Sequence, residues 1–484
     1  MISGQEAIIA SLLDPGRYPH AAKSVRRIET HISWVLLAGR YAYKIKKAVH
    51  PDFLDFTTLE ARRHYCMEEL RLNKRLAPDL YLEVVPIGGT PENPILGALP
   101  AIEYAVKMRR FTARNRLDRL ASKGALEAAH IDAIARKIAK FHQEIPPPPV
   151  GTRYGLDMPD TMHLAFQELR ERLGEEVSDL EQEIALEYRK IEPLVKQRVE
   201  AGCVRECHGD LHLGNIALIG GDPVPFDCIE FDPKLRWIDP MNEIAFPFMD
   251  LVHSGKEDLA WRFLNAYLEI TGDYGGLPLL RYFSSCRATV RGMVDAIRAS
   301  QAGSGFASCR KHLALASRLL RREKPSLFIT HGLPGSGKTT WAVQAAEKQR
   351  AIRIRSDVER KRLHGFAPEA KSGSGIDSGI YSGSSTREVY AFLLDKTADL
   401  LDAGFSVIVD AAFPQKRQRE EFRKLAGDRG LPFSIASMQA DYPALKKRIS
   451  ERRNDASEAD LCVLERMMEK FEPLAENELE DSST

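Results

Sequence analysis

Two residues within His208-Gly209-Asp210-Leu211-His212-Leu213-Gly214-Asn215, and one beyond it, have the types and spacing to move a phosphoryl group. Asp210 and Asn215 have four residues between them, and Asp227 follows past an apolar segment. Transfer from ATP·Mg²⁺ needs one carboxylate to take the acceptor hydroxyl's proton, and an amide oxygen plus a second carboxylate to hold the metal. On the pattern H-x-D-x-x-x-x-N followed by a metal-binding Asp, Asp210 is the expected catalytic base, and Asn215 and Asp227 are the expected metal ligands. A polar loop of structural histidines and capping acids is the plain alternative. Zinc held by Cys203, Cys207, His208 and His212 is a poorer fit, because Cys-x-x-x-Cys-His is not a usual zinc spacing and no second Cys pair matches it.

Such a site also needs a cation for the phosphates. In Tyr41-Ala42-Tyr43-Lys44-Ile45-Lys46, a strand places Ala42, Lys44 and Lys46 on one face. Lys44 is the expected ATP-binding lysine, with Lys46 on the same face. Its expected partner is Glu69, which shares the helical stripe Tyr65, Glu69, Leu72, Leu76, whereas Glu68 falls with His64, Arg71 and Arg75 on a solvated face. Glu230, Asp232 and Asp239, after Asp227, suit either a cationic ligand or loop-orienting hydrogen bonds.

A second constellation lies near the C-terminus. Gly332-Leu333-Pro334-Gly335-Ser336-Gly337-Lys338-Thr339 fits G-x-x-x-x-G-K-[ST] in full, after an apolar strand and before a helical segment. Glycines there let backbone N–H groups turn toward phosphate oxygens. The stretch from Gly332 through Thr340 is the expected ATP-binding loop, with Lys338 reaching the β- and γ-phosphates and Thr339 holding Mg²⁺. Asp410 ends the strand Val407-Ile408-Val409, where a carboxylate meets the metal. Asp357 ends the second strand and is the expected catalytic base of this site, at the sheet end where α/β proteins bind ligands. Arg448, Arg452 and Arg453 lie on a late basic helix; Arg452 is taken as the one that closes over the phosphates, with a solvated helix face as the alternative. The Ser/Gly-rich run Lys371 to Ser385 suits a gating loop or a plain disordered one.

The elements that must position these residues read as follows. Trp34–Leu37 and Tyr41–Lys46 form a hairpin pattern around Gly39. A helix is expected from about Thr58 to Ala77, opened by a Thr57/Glu60 capping box. Helices follow over about 127–144, 164–200 and 242–322, with a hairpin over Ile216–Phe226 turning at Gly220-Gly221. Strand and helix then alternate from Leu327 onward, which points to a parallel sheet. The charged run ending at Pro325 sets the expected boundary between a domain of residues 1–324 and one of residues 325–484.

Over 484 residues, 69 Lys+Arg face 68 Asp+Glu, a net charge of +1. That argues against binding nucleic acid through bulk charge, so a nucleic-acid partner is not expected. No stretch of 18 apolar residues exists, no secretory signal is visible, and seven cysteines are sparse, so no membrane association and a cytoplasmic location are expected.

The His-Gly-Asp-Leu-His-x-Gly-Asn loop, with Tyr43-Lys44 and Phe226-Asp227-Cys228-Ile229-Glu230-Phe231, resembles the aminoglycoside phosphotransferase and choline-kinase-like family from about Thr30 to Arg310. The C-terminal part resembles small P-loop kinases, including polynucleotide 5′-hydroxyl kinases, through its Gly332–Thr339 loop and Arg355-Ser356-Asp357. The whole chain resembles a bacterial fusion of the two. That resemblance implies an α+β protein-kinase-like domain, with a β-rich small lobe and a helical large lobe, followed by an α/β P-loop domain. No G-x-G-x-x-G loop precedes Trp34, a departure from the protein-kinase pattern. The expected activity is ATP- and Mg²⁺-dependent phosphorylation of a hydroxyl on a small metabolite or sugar. The alternatives are a regulated P-loop ATPase or nucleotide sensor with a ligand-binding kinase-like domain, or a nucleic-acid 5′-hydroxyl kinase.

Overall fold

The computed structural model describes residues 4–50, 54–149, 151–152, 154–374, 378–451 and 457–479. It comprises two compact units: residues 1–130, 144–168 and 192–250 form the first, and residues 131–143, 169–191 and 251–484 form the second.

The first unit is built on an antiparallel sheet of β1 (Val25–Glu29), β2 (Ser33–Ala38), β3 (Tyr41–Lys46), β4 (Tyr81–Thr90), β5 (Asn93–Leu96) and β6 (Ala101–Arg109), in the order β1-β2-β3-β6-β4-β5. Period-two alternation explains the two faces of its centre. Trp34, Leu36 and Ala38 of β2 and Tyr43 and Ile45 of β3 share one core cluster. Lys44 and Lys46 therefore project from the opposite face. The β2–β3 turn needs Gly39, whose φ is +56° and where a Cβ would lie 2.4 Å from the Ala21 carbonyl oxygen.

The helix Leu59–Lys74 supplies the partner for those lysines. Its cap is Thr58, whose hydroxyl accepts from the Ala61 N–H at 3.1 Å. The expected Thr57/Glu60 box is not formed, because the Thr57 hydroxyl is engaged by Asp55 at 2.6 Å. Arg62 is buried with its Nε 3.0 Å from both Glu103 carboxylate oxygens, which ties the helix to β6.

Two short ladders carry the polar loops. β7 (Arg205–Glu206) pairs with β10 (Trp237–Ile238), and β8 (Ile216–Ile219) pairs with β9 (Asp222–Pro225). The second is the expected hairpin, with Gly220 and Gly221 both at positive φ in its turn. The single long helix expected over 164–200 is instead two, Met158–Leu173 and Ser178–Glu200, interrupted at Gly174 with φ +61°.

The second unit holds a parallel sheet of β11 (Leu327–His331), β12 (Ala351–Arg355), β13 (Ser406–Asp410) and β14 (Phe433–Ser437), in the order β12-β13-β11-β14. The central strand β13 is an apolar run with Val407, Ile408 and Val409 fully buried, whereas β12 alternates, burying Ile352 and Ile354 and placing Arg353 and Arg355 on its other face. β11 and β13 are neighbours, so the loop after His331 and the side chain of Asp410 emerge side by side at the carboxyl end of the sheet.

β12 is an edge strand, and an exposed edge invites stray pairing. Here the edge is covered by the helix Glu257–Thr271. Asn265 Nδ2 donates to the Ala351 carbonyl at 2.9 Å, and the Arg353 N–H donates to Asn265 Oδ1 at 2.7 Å. Arg281, in the next long helix, donates to the carbonyls of Ala403 at 3.1 Å and Gly404 at 2.7 Å. These bonds explain why the second unit extends upstream of the P-loop segment.

Replacing Asn265 with Ala leaves one backbone donor and one backbone acceptor of β12 without their partner. The expected loss is about 2–4 kcal/mol in the unfolding transition of the second unit, measured by urea denaturation. Leu164→Ala, at a side chain 61% exposed, should shift stability by less than about 0.5 kcal/mol.

Candidate active sites

In the first unit, Lys44 Nζ lies 2.8 Å from Glu69 Oε1 and 2.6 Å from Asp227 Oδ1. The three groups come from a strand, a helix and the segment after the β8–β9 hairpin. Lys46, two residues on, places its Nζ 2.8 Å from the other Glu69 oxygen and also pairs closely with Glu230. Glu69 and Lys46 have no exposed surface, whereas the Asp227 side chain is 47% exposed. Burial works to lower the Lys44 pKa, but Asp227, then Glu69 and Glu230, outweigh it and hold it well above the ordinary value. For Glu69, burial works upward and the two lysines win, leaving the carboxyl well below its usual range.

The Asp210 loop is fixed from below. Glu243, fully buried, accepts the backbone N–H of His208 at 2.6 Å and of Gly209 at 3.0 Å. Gly209 has φ +87°, and a Cβ there would meet the Leu235 carbonyl oxygen at 2.8 Å, so only glycine fits this bend. Leu213 N–H donates to Asp250 Oδ2 at 2.9 Å. Asn215 Nδ2 donates to both the backbone oxygen and Oδ2 of Asp210, at 3.0 and 2.9 Å. The amide nitrogen is thus spent on aiming Asp210, which leaves the amide oxygen as the group suited to a cation. Asp227 adopts φ +66°, uncommon for a residue with a Cβ. Its N–H donates to the Tyr81 hydroxyl at 3.0 Å, and the next N–H, of Cys228, donates to Asn73 Oδ1 at 2.9 Å.

His208 lies beneath this loop with both ring nitrogens engaged. Nε2 is 2.9 Å from the Phe226 carbonyl, which requires a proton on that nitrogen, and Nδ1 accepts from the Asp210 N–H at 3.4 Å. Burial pushes its pKa down to about 4, so the ring is neutral. Asp232 caps the short helix Pro233–Arg236, and Asp239 is bound by Arg198 at 2.6 and 3.0 Å. Both acids orient structure.

In the second unit, Gly335 and Gly337 adopt φ +80° and +102°. A Cβ at Gly332 would lie 2.5 Å from the Met438 carbonyl oxygen. Lys338 Nζ folds back to the Leu333 carbonyl at 2.8 Å, and Arg448 Nη1 reaches the Gly335 carbonyl at 3.1 Å. The Thr339 hydroxyl is 3.5 Å from Asp410 Oδ1. Asp410 is buried, its Oδ2 has no hydrogen-bond partner among the described residues, and burial raises its pKa against the pull of Arg353, Arg355 and Lys338. Asp357, second residue of the helix Ser356–Leu363, lines the same cavity of about 1280 Å³. Arg452 and Arg453 lie outside the described residues.

Both oxygen-donor sets fit a hard divalent cation, and the glycine-dependent bend at Gly332–Gly337 fits a bound phosphate chain. In the second unit the orphaned Asp410 oxygen beside the Thr339 hydroxyl is the observation that favours a metal. Pattern reasoning missed the second lysine–glutamate pair, Lys46 with Glu230, although strand alternation had already put Lys46 on the right face. It also missed Glu243, Tyr81 and Asn73, which act only through loops remote in sequence.

Three comparisons with known proteins bear on the chain. Residues 327–474 match the family model described as an AAA domain. Over 448 residues the chain is 32% identical to "Uncharacterized protein Rv2004c" of Mycobacterium tuberculosis and to "Uncharacterized protein Mb2027c" of Mycobacterium bovis, covering 89% of this chain and 87% of each relative. Among solved structures, the chain is similar to a choline/ethanolamine kinase family protein from Mesorhizobium loti, with a TM-score of 0.42 and 11% identity over 66% of this chain and 95% of that one. It is also similar to the APS kinase CysC of Mycobacterium tuberculosis, with a TM-score of 0.22 and 22% identity over 26% of this chain and 70% of that one.

The neutral state of His208 sets a pH dependence. Its folded pKa of about 4 lies below the ordinary 6.5, so the unfolded chain takes up the proton first as pH falls. The stability it contributes is complete above pH 6.5 and lost toward pH 4, with a slope of up to about 1.4 kcal/mol per pH unit. Urea titrations across that window should show a shallower loss for His208→Gln than for the wild type. Equal slopes would remove His208 as the titrating group.

Proposed function

The chain belongs to the family of these mycobacterial proteins, and from that premise and the two sites we propose that it is a phosphotransferase with two ATP·Mg²⁺-binding modules, residues 1–324 and 325–484, acting on a hydroxyl group of a small metabolite or sugar. On this reading the first module is kinase-like and the second, whose residues 327–474 match an AAA domain, is a P-loop kinase. No helix among the described residues is long and apolar enough to cross a membrane. The proposed modules cut the chain elsewhere than the compact units do, because helices upstream of residue 325 pack on the P-loop sheet.

One observation carries the reading most strongly: the Lys44 ammonium joins Glu69 and Asp227, which are 158 residues apart in sequence, at 2.8 and 2.6 Å. Nothing in a merely structural loop requires that convergence next to a half-exposed Asp227. Bound ATP·Mg²⁺ supplies the phosphoryl group and the charge that neutralises it in transfer. The remaining roles belong to the chain. In the first module Asp210, aimed by Asn215, takes the hydroxyl proton; Asn215 and Asp227 hold the metal; Lys44 orients the phosphates under the control of Glu69. In the second, the loop Gly332–Thr340 cradles the phosphates, Lys338 swings from the Leu333 carbonyl onto them, Thr339 and Asp410 hold the metal, and Asp357 takes the proton.

At about 1280 Å³ the cavity at the P-loop exceeds an ordinary ligand pocket and has room for a nucleotide and an acceptor side by side. Its wall is mixed in charge, with Arg360, Arg387, Arg466 and Lys470 beside Asp357, Glu458 and Asp460, which suits a polar acceptor.

The test is an ATP-consumption screen of the full chain against a library of hydroxylated metabolites. Asp210→Asn should lower transfer to acceptors of the first module by about 10²–10⁴-fold. Lys338→Ala should abolish consumption at the second. An acceptor turned over undiminished by the double variant would overturn both assignments.

A further inference from the structure

Behind the metal-binding side of the P-loop site lies a cluster of charges that the roles above do not use. Arg353 and Arg355 point from the same face of β12, and both pair with Glu269 of the helix Glu257–Thr271. Arg355 Nη1 lies 2.9 Å from Glu269 Oε1, and Arg353 makes a close pair with the other carboxylate oxygen. On their other side is Asp410. Its Oδ2 is 4.0 Å from Arg353 Nη1 and 3.8 Å from Arg355 Nε. Arg353 Nη1 and Asp410 Oδ2 are both buried and lack a hydrogen-bond partner among the described residues, so an unpaired donor and an unpaired acceptor face each other across a gap.

Such a gap is costly to keep, since buried polar groups of opposite sign gain from closing it. What holds it open is visible. Glu269 draws both guanidinium groups toward itself, and it is anchored: its backbone oxygen accepts from Arg362 Nη2 at 2.6 Å, and Asn265, one helical turn earlier, is bonded to β12 itself. Two arginines and two carboxylates balance to zero. Without Glu269 the balance is one positive charge beside the place where a cation would bind, and among the described residues Asp410 is the other carboxylate within ion-pair reach of both arginines. Both consequences oppose the metal.

We propose that Glu269 is a positioning residue for the P-loop site: by pairing with Arg353 and Arg355 it keeps both guanidinium groups from closing onto Asp410, and so keeps that carboxylate open to a divalent cation at Thr339. The inference rests on the reading of Asp410 and Thr339 as metal ligands. It makes a helix upstream of residue 325 part of the P-loop site.

The experiment is calorimetric titration of the full-length chain with ATP, once in Mg²⁺ and once in EDTA, the P-loop component being the binding that Lys338→Ala removes. In wild type, Mg²⁺ should strengthen that component. In Glu269→Gln the Mg²⁺-dependent gain should fall by about tenfold or more, the scale of lost support around a metal ligand, while affinity in EDTA stays as in wild type. Glu269→Gln combined with Arg353→Gln restores the charge balance and should recover most of the gain. An unchanged gain in Glu269→Gln overturns the inference. So does an equal fall in both buffers, which is what damage to the fold would give, and so does a double variant no better than the single. If Lys338→Ala removes no component from the wild type, the P-loop reading itself fails; if it does and Glu269→Gln keeps the full gain, only the role of Glu269 falls.

Discussion

The Glu69 carboxylate has no contact with solvent, and a buried carboxylate is tolerable only when it is paired and hydrogen-bonded. Two lysines on one face of β3 supply the pairing, one ammonium 2.8 Å from each oxygen, and Lys46 adds a hydrogen bond. Much of the first site's geometry follows from this triad. It fixes how the helix Leu59–Lys74 lies against β3. It leaves Lys44 able to reach Asp227 while Lys46 is held deeper by Glu230. Asp227 and Glu230 are three residues apart on one loop, so the same pair of lysines sets the position of that loop at two points. Removal of any one charge strands the others in a low-dielectric interior, which is why the arrangement behaves as a unit.

The P-loop site solves the same electrostatic problem with the opposite outcome. Glu69 has an ammonium 2.8 Å from each oxygen, whereas the guanidinium groups facing Asp410 Oδ2 stand 4.0 and 3.8 Å away and burial raises the Asp410 pKa. A carboxylate that only stabilised the fold would gain by taking a bond from the adjacent arginines. One that has to accept a cation does better half-satisfied. Arginine rather than lysine at 353 and 355 fits this, because the planar guanidinium can hold Glu269 and still lend its charge to the neighbouring acid.

The sequence exposed those parts of the sites that obey local rules. Gly209, Gly332 and Gly335 are needed for bends that can be placed from spacing alone, and Asp210, Asn215, Lys338 and Thr339 come with them in short motifs. Glu69 was legible because helical periodicity separates it from Glu68, which instead pairs with Arg71 at 2.9 Å on the outer face. The cap at Thr58 was misplaced by one residue because Thr57 has an equally suitable hydroxyl, and only the nearby Asp55 decides between them. The strands β4 to β6 gave little sign of themselves: β4 contains Pro86, Gly88 and Gly89, which blur the alternation. The partnership of Glu269 with Arg353 and Arg355 joins residues more than 80 positions apart, and no spacing rule reaches that far.

That last partnership bears on what a module means in this chain. A boundary drawn by motif falls near Pro325, where one catalytic pattern ends and the next begins. A boundary drawn by packing falls elsewhere, because the edge of the parallel sheet is closed by Asn265 and the charges behind Asp410 are balanced by Glu269, both upstream of that proline. A free edge strand and an unbalanced pair of buried arginines are liabilities that a self-sufficient P-loop domain would have to remove with its own residues. Here they are met by a helix that belongs, by sequence, to the kinase-like half. The charges behind Asp410 are therefore balanced by residues on both sides of 321–325, within one compact unit.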